Sequence, residues 1–381
     1  MSRILTDAQL ALRDKVRTFA REVVGPRRLE ATDDPSFLKE MNRLMGEAGI
    51  LRTFAPKSLG GDEMGVMAIV IVMEELARES PAVAMSAMMQ MNIPVNMVKT
   101  PPVADRWARS ALAGETTVSF ASTDPVGYAN YTEHPDIGRC EGDEFVLNGV
   151  RHFAGQAIFA DVIGVSGLVD GDMHLFWIPA DQAGVQVSPM PKMGIGAPWG
   201  RVELTDVRVP AEYVRDMNVL VKDRQLVDVS GTSKVSTHPI SALALGLAEG
   251  VWEKTDAYLR ERTVRNEPLA SMQALQHKLV RMRQNIEAGR SMLYDATQLV
   301  DAGQGDAVLD HLLKPFLTEM AFDVATTCMT LHGGRGYERT AGIEIYLRDA
   351  AGLLIGECTA DMHYSTIANL LNMPGALPGS P

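Results

Sequence analysis

Residues 330–361 read TLHGGRGYERTAGIEIYLRDAAGLLIGECTAD, and no other stretch of the chain says as much about its fold. Three glycines, Gly333, Gly334 and Gly336, follow an apolar helical pattern. A glycine turn beside a helix lets backbone N–H groups approach a phosphate, because no Cβ stands in the way. Arg348 and Asp349 come next and are expected to form a structural ion pair near a site. Leu353, Leu354 and Ile355 then lead to Glu357, set between Gly356 and Cys358 just before another helical pattern. A carboxylate at the end of a short apolar segment is a candidate base in a dry pocket. Each signal alone is weak. Paired glycines commonly close a helix, and a glutamate at a helix start is commonly solvated.

Size and charge narrow the reading. With 381 residues, 46% of them hydrophobic, the chain can bury a large core and divides into two or three domains. The 22 methionines suit adaptable helix packing. A net charge of −12 argues against a nucleic-acid surface. Cys140, Cys328 and Cys358 have no metal-ligand spacing and make no even disulfide set, as expected in a reducing cytoplasm. The opening MSRILTDAQL lacks the apolar core of a signal peptide, and the longest apolar run, near 64–73, is too short to span a bilayer. A cytoplasmic protein with no membrane or nucleic-acid partner is expected.

Along the chain, Thr6 and Gln9 form a capping box, and Leu12, Val16, Phe19 and Val23 follow at helical spacing until Pro26. Further helices are expected from Ser36, over 64–78, and over 83–98 with a break at Pro94. Strands then take over. TTVSFAS at 116–122 is β-rich, Asn148–Gly149 is a strong hairpin cue, and Asp170–Gly171–Asp172 marks a second hairpin between 162–169 and 173–178. Residues 185–187 and 202–209 add short strands, ending near Pro210. Helical patterns return over 242–259, 269–300, 307–331 and 359–371, before a Pro/Gly-rich tail expected to be flexible. Helices, strands and helices in succession predict segregated layers, not a parallel βαβ sheet.

Taken together, LHGGRGY at 331–337, RDA at 348–350 and IGECT at 355–359 resemble the C-terminal signature of the acyl-CoA dehydrogenase family. LTDAQLALRDKVRTFAREVVGP, LAGETTVSFASTDP, NGVRHFAGQAIFADV and LTDVRVP resemble its opening helix, its entry to the β domain, its central hairpin and its exit. The resemblance implies an α+β, mainly α fold. Residues 1–115 would be an N-terminal helical domain, 116–222 a middle β-barrel or sandwich, 223–373 a C-terminal four-helix bundle and 374–381 a tail. It also implies a homotetramer or dimer that binds FAD, desaturates an acyl-CoA or acyl-carrier-protein thioester and passes electrons to an electron-transfer flavoprotein. Glu357 would be the catalytic base, touching substrate together with Gly356, its backbone N–H helping to hold the thioester oxygen. Removing a weakly acidic α-proton asks for a carboxylate more basic than a free Glu at about pKa 4.3, which burial supplies. By resemblance Thr123 and positions Phe153 and Gly155 meet the flavin, Arg262 reaches the pyrophosphate across a subunit boundary, and Gln273 lies near the adenine. Gly333 and Gly334 cradle the pyrophosphate, while Thr359 and Asp361 meet the flavin and the adenosine ribose.

The chain also departs from the family pattern. Ala129 stands where a pyrophosphate-binding Ser is usual, and Phe153 and Gly155 replace a Trp and a Thr. Arg265–Asn266 replaces a Phe–Gly pair, and Thr237 replaces an arginine. Residues 234–238 offer no alternative carboxylate base. Gly155 and Gly356 are expected to widen the pocket for a branched, cyclic or carrier-bound acyl group. Two other functions fit the altered flavin contacts: a flavin-dependent monooxygenase on the same fold, and a non-catalytic acyl-binding partner subunit.

Overall fold

The computed structural model of the chain describes residues 5–30, 36–126, 135–194, 196, 198–218, 221–222, 225–226 and 230–374. Ala129 and the tail beyond residue 374 lie outside them. Helix α1 (Asp7–Phe19) begins at the expected capping box: the Gln9 N–H donates to Thr6 Oγ1 (3.3 Å) and the Thr6 N–H to Gln9 Oε1 (3.0 Å). Helices α2 (Ser36–Glu47), α3 (Val66–Ala77) and α4 (Pro81–Met97) follow, and α3 is buried from Met67 onward. Pro94 does not break α4. The proline removes one backbone donor, but the helix is buried along most of its length, and packing outweighs that local loss. Short turns α5 (Pro101–Val103) and α6 (Arg109–Leu112) close the helical part.

Strands β1 (Val118–Ala121), β2 (Gly138–Glu141), β3 (Glu144–Gly155), β4 (Val162–Val169), β5 (Asp172–Pro179), β6 (Val185–Met190), β7 (Trp199–Pro210) and β8 (Val214–Asp216) form one sheet. Its order is β6-β7-β3-β1-β4-β5-β8, with β2 on β3, and every pairing is antiparallel except β1–β4. The β4–β5 hairpin turns at Asp170 (φ 53°) and Gly171 (φ 86°), as the Asp-Gly signal predicts. Asn148–Gly149 makes no hairpin. Strand β3 runs straight through it with a register shift, and Asn148 exchanges side-chain bonds with the Asp206 carboxylate (3.0 Å) and backbone N–H (2.9 Å). The pair marks a bulge. Alternation along β5 sends Phe176 and Ile178 to a core within the sheet domain, and Leu175 and Trp177 to one shared with the helices.

The C-terminal part contains α7 (Ser230–Glu261), α8 (Gln273–Asp301) and α9 (Ala307–Leu331), then α10 (Gly334–Tyr337), α11 (Glu344–Leu353) and α12 (Ala360–Leu370). Helix α11 is an addition to the expected elements. Arg265 (φ 53°) and Asn266 (φ 66°) form the two-residue turn of a small hairpin after α7, a backbone that Asn favours. No helix among the described residues is long and apolar enough to cross a membrane.

Two polar seams join the parts. At the first, α3 and α7 touch backbone to backbone. A Cβ at Gly246 would lie 2.1 Å from Glu74 O, and one at Gly250 would lie 2.0 Å from Arg78 O. Buried carboxylates flank this contact. Glu74 accepts from Arg290 (3.0 Å) and Tyr294 (2.6 Å), Glu75 from Arg17 (2.6 Å), and Glu249 from Arg283 (2.7 Å) and Arg290. At the second, Gln90 and Gln156 bridge α4 to the sheet. The Val118 N–H donates to Gln90 Oε1 (2.8 Å), the Gln156 amide to Val118 O (2.7 Å), and the Ser86 hydroxyl to Gln156 Oε1 (2.7 Å).

Gly250→Ala should therefore destabilise the protein by about 2–3 kcal/mol through overpacking, measured by denaturant unfolding. Gly352→Ala, where a Cβ meets nothing within 4 Å, is the control and should be neutral or slightly stabilising.

Candidate active site

Helix α11 ends at Leu353, and the chain folds back so that the Gly356 N–H donates to Gly352 O (3.0 Å). Glu357 (φ 54°) and Cys358 (φ 79°) then take consecutive left-handed conformations with no glycine between them. Each such residue costs roughly 1–3 kcal/mol and persists only where its surroundings impose it. Those surroundings are polar and buried. The Lys314 ammonium, fully buried on α9, donates to Leu354 O (3.0 Å) and Cys358 O (2.6 Å), one on each side of Glu357. His363 on α12 reaches Glu357 O (3.3 Å) through Nε2, and its Nδ1 lies 3.1 Å from His311 Nδ1. A carbonyl only accepts, so His363 carries its hydrogen on Nε2, accepts at Nδ1, and is bonded by a hydrogen on His311 Nδ1. Lys314, His311 and His363 were invisible in the sequence, where a lone lysine in a helix reads as surface charge and the two histidines lie far apart.

The carboxylate itself is tuned. Crowding by protein raises the Glu357 pKa, while the Lys314 charge and a hydrogen bond from Ser236 pull it down; the net shift is upward. Glu357 is nevertheless exposed to solvent and not sealed in a core. Burial likewise lowers Lys314 to about 8, opposed by Cys358, Glu357 and Glu319. It raises Cys358 to about 11, with Glu357 adding and Lys314 opposing, which leaves that thiol un-ionised at neutral pH. His363 falls to about 4, first by burial, then by its neighbour His311. Beside the turn lies a cleft of about 460 Å³ lined by Thr318, Glu319, Asp323, Leu354, Thr359 and Asp361 among others. Thr359 and Asp361 line this cleft, and Glu357 lies in the adjoining turn, two residues before Thr359.

The sheet contributes a separate aromatic corner. The Thr123 carbonyl accepts from the His152 N–H (2.8 Å). Phe153 takes φ 57°, remains 47% exposed, and meets Trp199 edge-on at 5.1 Å, with the Lys192 ammonium 4.9 Å from the Trp199 ring centre. Trp199 pairs with Gly155 across β3 and β7, so an indole stands one strand away from position 153. Gly155 opens no space: a Cβ there would lie 2.9 Å from Met89 Sδ, because Met89 of α4 fills the room. Gly356 does leave room, its Cβ position meeting only Gly352 O at 3.4 Å. Of the two glycines expected to widen a pocket, Gly155 thus leaves no free space, while Gly356 leaves room for a side chain. Arg348 and Asp349 do not pair with each other as expected. Successive helical positions point apart, so Arg348 bonds Glu344 (3.0 Å) and Met193 O (3.1 Å), while Asp349 accepts from the Gly196 N–H (2.9 Å). Together they pin the loop before β7 onto α11.

Arg262, Gln273, Gly333 and Gly334 form a second group at the far end of the bundle. The buried His332 bonds Thr255 on α7 (3.1 Å) and stacks on Tyr258 (4.2 Å), which places the glycine turn against the end of α7 that Arg262 directly follows. Gln273 opens α8 just beyond. All four are exposed, a Cβ on either glycine would meet nothing within 4 Å, and Arg262 has no ion-pair partner among the described residues. At roughly 1.5 Å per residue, Lys314 and His332 stand about 27 Å apart along α9, so the Glu357 group and the Arg262 group are well separated within one chain.

Comparison with known proteins follows the same outline. Residues 6–115 match the family model described as acyl-CoA dehydrogenase, N-terminal domain, and residues 236–371 match acyl-CoA dehydrogenase, C-terminal domain. A 3-(aryl)acrylate reductase of Clostridium sporogenes is 28% identical over 96% of this chain and 99% of its own length. A cyclohex-1-ene-1-carbonyl-CoA dehydrogenase of Geobacter metallireducens is 27% identical over 91% of this chain and 93% of its own. A glutaryl-CoA dehydrogenase of Mycobacterium smegmatis, solved with FADH2, superposes with a TM-score of 0.89 at 20% identity, covering 99% of this chain and 97% of that one. With both terminal domains matched and full-length relatives among these enzymes, the chain belongs to the acyl-CoA dehydrogenase family of oxidoreductases.

Proposed function

We propose that this protein is an FAD-dependent enzyme that desaturates an acyl thioester between its α and β carbons, with Glu357 as the base. The observation that carries the reading is the Glu357 turn: a carboxylate made more basic by its surroundings, held in a costly backbone conformation beside a cleft. Its carboxylate takes the α-proton, while Ser236 donates a hydrogen bond to the same group and holds it in place. The donor set suits a dinucleotide: a glycine pair open where side chains would intrude, an unpaired guanidinium at Arg262, the Thr359 hydroxyl in the cleft and the exposed ring of Phe153. Bound FAD would accept the hydride from the β carbon. Thr123, Phe153, Gly155, Thr359 and Asp361 would hold it from one subunit, and Arg262, Gln273, Gly333 and Gly334 from another. The distance between the two groups along α9 supports a dimer at least and accords with a homotetramer.

For the acyl group, a ring-bearing chain is the best-supported class, attached to CoA or a carrier protein. Gly356 leaves space next to the base, and the two relatives described above act, by name, on a 3-(aryl)acrylate and on cyclohex-1-ene-1-carbonyl-CoA. An electron-transfer flavoprotein is the proposed electron acceptor.

An anaerobic titration of the flavin-loaded protein with a panel of acyl-CoAs, followed by flavin absorbance, tests the reaction directly. Bleaching should favour cyclic or aryl-substituted acyl groups; a higher kcat/KM for unbranched saturated chains overturns the substrate class. Glu357→Gln, nearly isosteric, should retain flavin and lose at least ~10²-fold in the rate of flavin reduction. Because the base works only when ionised and its pKa is raised, kcat/KM should climb with pH through a value above the usual carboxylate region near 4.3. Arg262→Ala should lose cofactor on dilution while its fold persists; tight retention would confine Arg262 to the surface.

A further inference from the structure

Lys314 lies beneath the base and takes no direct part in the reaction described above. It is fully buried, which is rare for lysine, and both of its described hydrogen bonds go to backbone carbonyls that bracket Glu357. We propose that Lys314 is a positioning residue: its ammonium clamps Leu354 O and Cys358 O, holding Glu357 and Cys358 left-handed and so fixing where the carboxylate stands beside the cleft. The inference rests on Glu357 being the base.

The turn needs such a clamp because its own sequence does not favour it. Glycine is the residue suited to positive φ, yet positions 357 and 358 carry Glu and Cys. Gly356, immediately before them, shows no positive φ. Local preference therefore opposes the conformation, and an outside group must impose it. Lys314 is suited to this, since one ammonium supplies several donors from a single point and satisfies two carbonyls that α11 and α12 leave unpaired. His363 adds a third tie at Glu357 O. The same ammonium also acts on the carboxylate as a charge. The groups that face Glu357 are Lys314 from α9, Ser236 from α7, Cys358 beside it and His363 through the carbonyl; Lys314 is the cation that favours the ionised carboxylate against burial. Clamp and charge are separable effects of one side chain.

The experiment compares the flavin-loaded enzyme with Lys314→Met, which keeps the aliphatic stem and removes donors and charge. The readouts are the flavin-reduction rate per bound flavin and its pH profile, with the best acyl-CoA as probe. The rate should fall at least about tenfold, and the acid limb should move up by about one pH unit as the carboxylate loses its neighbouring cation. Cys358→Gly in the same background removes one left-handed penalty and should restore much of the rate without returning the acid limb. A merely structural lysine would lower thermal stability or flavin occupancy and leave the acid limb in place, and that result overturns the proposal. If Lys314→Met is insoluble, the Lys314→Met/Cys358→Gly pair decides: recovery of folded, flavin-bearing protein supports the clamp, and failure to recover rejects it. Glu357→Gln run in parallel separates the two readings. Full activity in Glu357→Gln removes the base assignment and this inference with it; an inactive Glu357→Gln beside an unchanged Lys314→Met removes only the role of Lys314.

Discussion

The structure depends on the contact between α3 and α7, where Gly246 and Gly250 let two helix backbones touch. Helices normally stand 8–10 Å apart, separated by side chains, and two glycines one turn apart on α7 remove that spacer. Closing the gap draws Glu74, Glu75 and Glu249 out of water, and Arg17, Arg78, Arg283 and Arg290 neutralise them. Such a seam adds little net stability against a purely apolar one, yet loss of any single partner strands a charge. It thereby fixes which surfaces of the N-terminal and C-terminal helices can meet. The consequence reaches the site, because α7 carries Ser236 near its start and Thr255 and Tyr258 near its end, with Arg262 immediately after it. One helix, held in place at its middle, sets the position of both groups of candidate site residues.

Local chemistry at Glu357 follows a similar logic of opposed terms. Burial makes a carboxylate more basic and a lysine more acidic, so placing Lys314 under Glu357 lets each moderate the other. Displacing water from around Glu357 would raise its pKa further, whereas full solvation would return it toward the ordinary carboxylate range. The buried Lys314 ammonium opposes the upward shift, and an acyl chain that displaced water from around Glu357 would strengthen it as a base.

Much of this was legible in the sequence, for identifiable reasons. Capping at Thr6, the Asp170–Gly171 turn and the long apolar periodicities are local signals, and local signals survive folding. The grouping of Glu357, Thr359 and Asp361 was legible because four residues of chain keep them together. Where the reading failed, tertiary context decided. Pro94 is carried inside a buried helix, Asn148–Gly149 became a bulge because β7 offered Asp206 as a partner, and Arg348 and Asp349 turned to different neighbours on the sheet domain. Gly155 shows the limit most clearly: a missing side chain implies space only if nothing else enters, and Met89 comes from 66 positions earlier in the chain to fill it. Lys314, His311 and His363 carry no local pattern that separates them from ordinary helix residues.

Charge supplies the argument for a second subunit. The cleft beside Glu357 contains Glu319, Asp323 and Asp361, and the chain as a whole carries −12. An anionic dinucleotide pyrophosphate would be repelled by those carboxylates, and the nearest buried cation, Lys314, is committed to two carbonyls. Arg262 offers a permanent charge in a forked geometry suited to phosphate, but it lies at the other end of α9. If FAD binds as proposed, Arg262 of a neighbouring copy would supply the compensating guanidinium. Cofactor binding and subunit association are then linked, each stabilising the other by mass action. An enzyme arranged in this way would hold its flavin only while assembled, which makes the oligomer part of the active site.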